Sequence, residues 1–420
     1  MQNARVFGKL PENPQNISVK SIKAVEPWRF VSPDGQEIPV EAEEPQEFTA
    51  EVAQEEIDAL RRDLAETDDA ELSVDLPLKL TTAGQHWTSG GVFSNRSGAL
   101  AAMGSQRADA GTDVGVIVLD AGFNRDYIET LVGPGHYGGG WSNRRVGAAT
   151  VGHLTDSHMR TEDLHGNMIA RNILSVAPNV TLYDAPVLPP RVYNLHGFSS
   201  DVVGALRAIR RVIRNRHNNP NFPTHTHWIL CNAWAVATSF ADHSSTYPYA
   251  SSRRHRLNAH VIRLAEMDNV DVVFAAGNSG AFAPAAFTGP YDRGHGHAIW
   301  GANGLEEVFT IGAVRADGIP VGMSAQGPSR DTLMVNPGVN RKPEMVLPSW
   351  FAEDMDPGVL NTGTSAASGL FAGLLADIRS GGDMSSSADL KQVLMDGATA
   401  AGQWNAQRGV GLPKYVPAMV

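Results

Sequence analysis

From about residue 110 onward, the chain repeats one pattern, in which an apolar run is followed by an amphipathic helical stretch. Strands that are apolar on both faces are typical of a parallel sheet covered by helices on both sides. We therefore predict an α/β fold with a mostly parallel central sheet over residues 110–420. The apolar runs lie at residues 114–119, 180–183, 228–232, 272–275 and 308–314.

The first 84 residues follow a different pattern and predict a small α/β N-terminal segment. Strand-like runs lie at 17–25 and 28–31, and a helical pattern follows from about residue 49. Residues 72–80 then alternate between apolar and other residues, as a half-buried strand does. Residues 85–109 are interpreted as a linker that leads into a larger domain at 110–420.

The negative charge of the chain is concentrated in the N-terminal segment. Residues 36–75 hold 15 acidic and 2 basic residues, whereas the rest of the chain holds 30 acidic and 32 basic ones. One interpretation is a solvated acidic face, and the other is a detachable or docking segment that meets basic patches. The candidate patches are Arg207, Arg210, Arg211 and Arg214, followed by Arg253, Arg254, Arg256 and Arg263.

Composition excludes several classes of protein. The only cysteine is Cys231, so an internal disulfide and a cysteine-based zinc site are excluded. No apolar stretch reaches about 18 residues, so we expect no membrane span. The net charge of −11 argues against nucleic acid as a partner. No apolar run follows the N-terminal basic residues, so no signal peptide is expected and a cytoplasmic location is favoured.

Four short motifs carry side chains that are useful for catalysis. Asp120 ends an apolar run, His165 opens a helical stretch, Asn278 follows a run that ends in small residues, and Ser365 precedes an apolar helix. Each of them alone is typical of a turn or a helix cap. Together they supply a nucleophile, a base, an orienting carboxylate and a donor for an oxyanion.

The order Asp, His, Asn and Ser, with gaps of 45, 113 and 87 residues, resembles the subtilisin-like serine peptidases, or subtilases. That order is a known property of the family. Further segments are similar to the family's motifs, namely Asn232-Ala233-Trp234-Ala235, residues 309–314, 324–328, 342–344 and 409–412.

The resemblance implies a serine endopeptidase acting on protein or peptide substrates. It implies Asp120, His165 and Ser365 as the catalytic triad and Asn278 as the oxyanion donor. It also implies a substrate cleft along Asn232, Ala233, Trp234 and Ala235. No metal or other cofactor is expected in the chemistry, and a structural calcium ion is left open.

The sequence departs from the family at three places. Asn167-Met168 replaces the usual Thr-His after the histidine motif, Gly369-Leu370 replaces Pro-His after the serine, and alanines replace Ser and Gly at 233 and 235. We therefore do not infer from the family which residues this protein would prefer in a substrate. The departures leave open a catalytically silent subtilase-like binding or scaffold protein. A nucleotide-binding domain is disfavoured, because no glycine-rich phosphate loop is present.

The resemblance also gives residues 1–84 two interpretations. They are either a prosegment, which acts as an intramolecular inhibitor and is cleaved off within 81–113, or a permanent accessory or docking domain.

Overall fold

The computed structural model describes residues 3–9, 23–24, 28–40, 47–53, 56–65, 71–75, 94–104, 107–143, 147–188, 198–236, 247–280, 297–336 and 341–414. The N-terminal strands are β1 (Asn3–Lys9), β2 (Lys23–Ala24), β3 (Arg29–Val31), β4 (Glu37–Pro39), β5 (Glu47–Ala53) and β6 (Glu71–Asp75). Four of these strands form an antiparallel sheet in the order β2-β5-β1-β6. Helix α1 (Ile57–Ala65) lies between β5 and β6 and buries Ile57, Leu60 and Leu64.

A nine-stranded sheet forms the centre of the molecule. The remaining strands are β7 (Ser94–Asn95), β8 (Val114–Asp120), β9 (Tyr137–Ser142), β10 (Thr181–Pro186), β11 (His227–Asn232), β12 (Val270–Ala275), β13 (Phe309–Val314), β14 (Met345–Pro348), β15 (Phe351–Ala352) and β16 (Leu360–Asn361). The large sheet has the order β14-β13-β12-β11-β8-β10-β9-β3-β4. Its strands from β14 to β9 are parallel, and β3 and β4 add an antiparallel hairpin at one edge.

Helices cover both faces of this sheet. They are α2 (Arg96–Met103), α3 (Arg125–Val132), α4 (His165–Val176), α5 (Phe198–Asn215), α6 (Arg256–Ala265), α7 (Gly363–Ser380) and α8 (Ser387–Asp396). The apolar sides of α5 and α6 pack in one hydrophobic cluster, whereas α4, α7 and α8 pack in a second cluster. Because both faces are covered, all seven residues of β8 are buried. The predicted α/β fold with a mostly parallel sheet is confirmed.

Two parts of the N-terminal region differ from the sequence interpretation. Arg29–Pro39, which the prediction placed in the separate segment 1–84, pairs with β9 at the edge of the large sheet. Residues 94–103, predicted as linker, form β7 and helix α2. The pairing of β3 with β9 and of β7 with β15 joins distant parts of the chain, which local composition does not record. Helix α2 is a local feature, because the Asn95 side chain caps its first turn. Residues 17–22, 76–80 and 81–93, also used in those predictions, lie outside the described residues.

None of the helices in the described ranges is long and apolar enough to cross a membrane.

Candidate active site

Asp120 lies at the carboxyl end of β8, where parallel sheets gather functional groups. Its side chain is fully buried, and its Oδ1 accepts a hydrogen bond from the Ala121 backbone N–H at 2.7 Å. The turn that follows contains Gly122, whose φ of +97° suits glycine. The backbone at Gly122 approaches the start of α4 so closely that a Cβ on Gly166 would lie 2.0 Å from the Gly122 carbonyl oxygen.

This close approach brings His165, the first residue of α4, to the buried carboxylate. His165 Nδ1 lies 2.8 Å from Asp120 Oδ1 and 2.9 Å from Oδ2. Burial lowers the pKa of His165, but the charge of Asp120 and its hydrogen bond outweigh burial, and the net pKa is raised above 6.5. Within the described part of the chain, Nε2 of His165 has no hydrogen-bond partner.

Ser365 lies in the first turn of α7, and its side chain is buried. Its Oγ donates a hydrogen bond to the carbonyl oxygen of Ala233 at 2.9 Å. The hydroxyl is therefore not hydrogen-bonded to His165 in this conformation, in keeping with the unpaired Nε2.

Asn278 follows β12 and is held by the residue that precedes Ser365. Its Oδ1 accepts hydrogen bonds from the backbone N–H and from the hydroxyl of Thr364, both at 3.0 Å. The Thr364 hydroxyl in turn accepts from the Gly277 backbone N–H at 3.0 Å. These contacts fix the amide plane and leave Asn278 Nδ2, the donor group, without a partner among the described residues. Sequence reasoning missed Thr364, although it adjoins Ser365.

The four residues proposed to line a substrate cleft have different surroundings. Asn232 is buried and donates to the carbonyl oxygens of Leu230 and Val273 within the sheet. The Trp234 side chain is also buried, and its ring packs edge-on against two phenylalanines, Phe198 and Phe274. The two alanines also contact other segments of the site. Ala233 contributes its carbonyl oxygen to Ser365, and the Ala235 Cβ would lie 3.0 Å from a Cβ on Gly277.

Two of the departures from the family pattern have local structural roles. Asn167 Oδ1 accepts from the Asn124 N–H at 2.7 Å, and its Nδ2 donates to the Thr161 carbonyl at 2.6 Å, which joins two loops to α4. Gly369 lies where α7 crosses α4, and a Cβ there would lie 3.2 Å from the Ile169 carbonyl oxygen. Glycine at this position permits close packing of the helices that carry His165 and Ser365.

A partly buried ionic cluster joins α4 to the segment before Ser365. Arg171 of α4 donates to Glu353 at 2.7 Å and to Asn361 at 3.1 Å. Arg96 of α2 forms two hydrogen bonds of 2.6 Å with the carboxylate of Glu353. Burial raises the pKa of Glu353, but the hydrogen bond and the charge of Arg96, followed by Arg171, lower it to about 2. The sequence interpretation did not single out these residues.

A second buried carboxyl lies on the strand next to Asp120. Asp184 of β10 is fully buried, and its Oδ2 accepts from the Gly152 N–H at 2.7 Å. Burial raises the pKa of Asp184 to about 7, with a smaller contribution from the charge of Asp120. Sequence reasoning missed this group, because nothing in the apolar run around it indicates a buried acid.

The described residues contain no group of three or more His, Cys, Asp or Glu side chains arranged to hold a metal ion.

Comparison with known proteins assigns the family. The model of the Subtilase family (Peptidase_S8) matches residues 111–412. One solved structure, titled "S41 Psychrophilic Protease", is similar with a TM-score of 0.47 and 18% sequence identity, over 78% of this chain and 100% of that one. None of the curated proteins matches the chain. Since the family match spans most of its length, the chain belongs to the subtilase family of serine peptidases.

Proposed function

We propose that this protein is an active serine endopeptidase with Asp120, His165 and Ser365 as its triad. The observation that carries the proposal is the pairing of His165 Nδ1 with both oxygens of the buried Asp120, while Nε2 has no partner among the described residues. A carboxylate in this position fixes the imidazole tautomer whose Nε2 accepts a proton. It also stabilises the imidazolium that forms during the reaction.

The proposed first step is attack by Ser365 Oγ on a peptide carbonyl carbon. The hydroxyl gives up its hydrogen bond to Ala233, rotates about χ1 and transfers its proton to His165 Nε2. The C–N bond then breaks, and the imidazolium returns the proton to the leaving amine. Water hydrolyses the acyl-enzyme with the same histidine as base.

Asn278 Nδ2 and the Ser365 backbone N–H are the proposed oxyanion donors. Nδ2 has no partner within the described ranges, and the first N–H groups of a helix have no intrahelical acceptor. Removal of such a side-chain donor in the related enzyme subtilisin lowers kcat by about 10²–10³-fold, and we expect Asn278→Ala to follow that known value.

A fluorophosphonate probe tests the proposal, since it reacts only with an activated serine. We expect labelling of the wild-type chain, loss of labelling in Ser365→Ala, and retention in Ser368→Ala. Ser368 is a matched control, because it lies buried on the same helix and donates only to the Ser365 carbonyl. An unlabelled, folded wild-type chain would reject the active peptidase.

One observation favours a second candidate, a catalytically silent binding protein with the same fold. The Ser365 hydroxyl is hydrogen-bonded to Ala233, and no hydrogen bond joins it to His165 among the described groups. The same experiment decides between the two, because a silent protein would bind peptides without reacting with the probe.

We further propose that residues 1–84 are a prosegment and that the enzyme itself cuts the chain after it. The contacts of Arg96 with Glu353 support a cut before residue 94 rather than later in the window 81–113. Intact-mass measurement should then find a clipped wild-type chain and a full-length Ser365→Ala chain. A wild-type chain that stays intact and fully active would favour a permanent accessory domain.

The proposed chemistry needs no metal ion, and a structural calcium ion remains a separate proposal. A melting temperature that rises on addition of calcium to chelator-treated protein would support it.

A further inference from the structure

The hairpin of β3 and β4 belongs to the large nine-stranded sheet, although it comes from the N-terminal region. Its inner strand pairs with β9 in the register Arg29 to Ser142, Phe30 to Trp141 and Val31 to Gly140. The family match begins only at residue 111. The strand that covers this edge of the sheet is therefore supplied from outside the region that the family shares.

The backbone of β9 is shaped for this pairing. Gly139 has a φ of +103°, and a Cβ there would lie 2.2 Å from the Val31 carbonyl oxygen. On the other side of the strand, a Cβ on Gly140 would lie 2.1 Å from the Asp184 carbonyl oxygen. Glycine permits this close backbone approach, which any side chain would prevent.

The hairpin also packs against aromatic side chains of the region that matches the family. Phe30 is 1% exposed, and its ring meets Trp141 at 5.4 Å and Phe222 at 6.2 Å, both edge-on. Trp28, just before the hairpin, lies against α5, where a Cβ on Gly204 would be 2.7 Å from the indole ring. Aromatic side chains of this size account for much of the stability of an interface.

One further contact holds the turn of the hairpin. Arg125 at the start of α3 donates to the Pro33 carbonyl at 3.1 Å. The hairpin thus contacts the sheet edge, α5 and α3, all of which lie within the family region.

We propose that residues 28–40 are a permanent part of the catalytic fold, so that cutting the chain before residue 94 leaves a two-chain protein. In this form the N-terminal fragment remains bound as a subunit through its hairpin, and it is not released. The proposal does not require the peptidase activity, because it concerns only how the two pieces hold together.

The experiment uses the full chain with Ser365→Ala, into which the recognition sequence of an unrelated protease is inserted between Asp75 and Ser94. After partial cleavage, native mass spectrometry reads the mass of each cut molecule at falling protein concentration. We expect cut molecules to have the mass of the intact protein plus the one water that hydrolysis adds. Separate fragments, with the larger one folded and monomeric, would overturn the proposal.

A pair of glycine variants tests whether the hairpin is responsible. Gly139→Ala introduces a clash with Val31, whereas Gly135→Ala has a similar positive φ of +98° and no atom within 4 Å of its Cβ. The backbone strain is thus similar, and only the clash differs. Overpacking of this kind should raise the dissociation constant of the cut complex by about tenfold or more for Gly139→Ala alone. Equal effects of the two variants would reject the role of β9.

Phe30→Ala covers the case in which Gly139→Ala does not fold. Phe30 contacts the catalytic domain, so its loss should weaken the cut complex while the uncut chain remains folded. A cut complex of Phe30→Ala as tight as that of the parent chain would show that the hairpin does not hold the fragment.

Discussion

At the scale of single residues, the site depends on which atoms are already paired. Asp120 occupies one nitrogen of His165, and Thr364 occupies the oxygen of the Asn278 amide. The other nitrogen of His165 and the nitrogen of the Asn278 amide have no partner in the part of the chain that the structure describes. In both cases one contact orients the group that the proposed chemistry needs. Such orientation carries consequences for pH dependence and for substitutions next to the site.

The acid limb of kcat/KM should reflect the raised pKa of His165. Burial lowers this pKa, but Asp120 raises it by more, so activity should begin to fall at a pH above 6.5 as the solution is acidified. The same shift favours the folded state below pH 6.5, and that contribution is lost as pH rises through the folded pKa. A pH–rate profile, with an NMR titration of His165 in the Ser365→Ala chain, checks this. A midpoint clearly below 6.5 would contradict it.

Under the proposed mechanism Thr364 positions Asn278, so Thr364→Val should lower kcat more than it changes KM. The substitution removes the hydroxyl that holds Asn278. It also leaves the Gly277 N–H unpaired, which lowers the free energy of unfolding by about 1–3 kcal/mol. Thr364→Ser should restore kcat. Thr310→Val is the matched control, because Thr310 is equally buried and its hydroxyl bonds only the Asn303 carbonyl. If both valine variants lose the same kcat, Thr364 has no special role.

At the scale of elements, helix α4 is held in place by ion pairs as well as by packing. Arg171 and Arg96 converge on Glu353, and Asn361 links the cluster to the strand that leads to Ser365. The helix that carries His165 and the helix that carries Ser365 are thereby connected behind the site.

Glu353→Gln should destabilise the fold at neutral pH. It leaves two arginines without their carboxylate. Breaking a fully buried pair costs about 3–5 kcal/mol, and we expect a smaller loss here, because 17% of the Glu353 side chain is exposed. Because the pKa of Glu353 is lowered from 4.5 to about 2, its stabilisation exists above pH 4.5 and is lost as pH falls toward 2. Unfolding curves at several pH values should therefore converge for wild type and variant in acid.

Glu129→Gln provides the comparison, since Glu129 pairs with Arg125 in a more exposed i,i+4 arrangement worth about 0.3–0.5 kcal/mol. If Glu353→Gln changes the free energy of unfolding at pH 7 by an equally small amount, the cluster does not stabilise the molecule.

At the scale of the whole molecule, the N-terminal region contributes strands to two sheets. Strands β1, β2, β5 and β6 form their own sheet, while β3 and β4 extend the large one. Phe7 of β1 also packs edge-on against His255, which precedes α6. The region therefore contacts the subtilase-family region at several places besides the connecting chain.

A chain that begins at residue 94 should self-associate. It would expose the unpaired edge of β9 together with Trp141 and Phe222, and such edges pair with other chains. Light scattering and the soluble yield measure this, and co-expression of residues 1–93 as a separate chain should restore a soluble complex. A soluble monomer of residues 94–420 with unchanged melting temperature would contradict the expectation.

The order of apolar and polar residues was enough to predict the central fold and to select the four site residues. Apolar runs such as 114–119 and 272–275 predicted buried parallel strands, because burial on both faces leaves a local record in the chain. Asp120 and Asn278 stood where such strands end. Only the folded chain reveals the pairing of β3 with β9, the cluster around Glu353 and the hydrogen bonds of Thr364 to Asn278. These depend on contacts between distant residues, and a short run of side chains does not specify which strand, acid or amide it will meet.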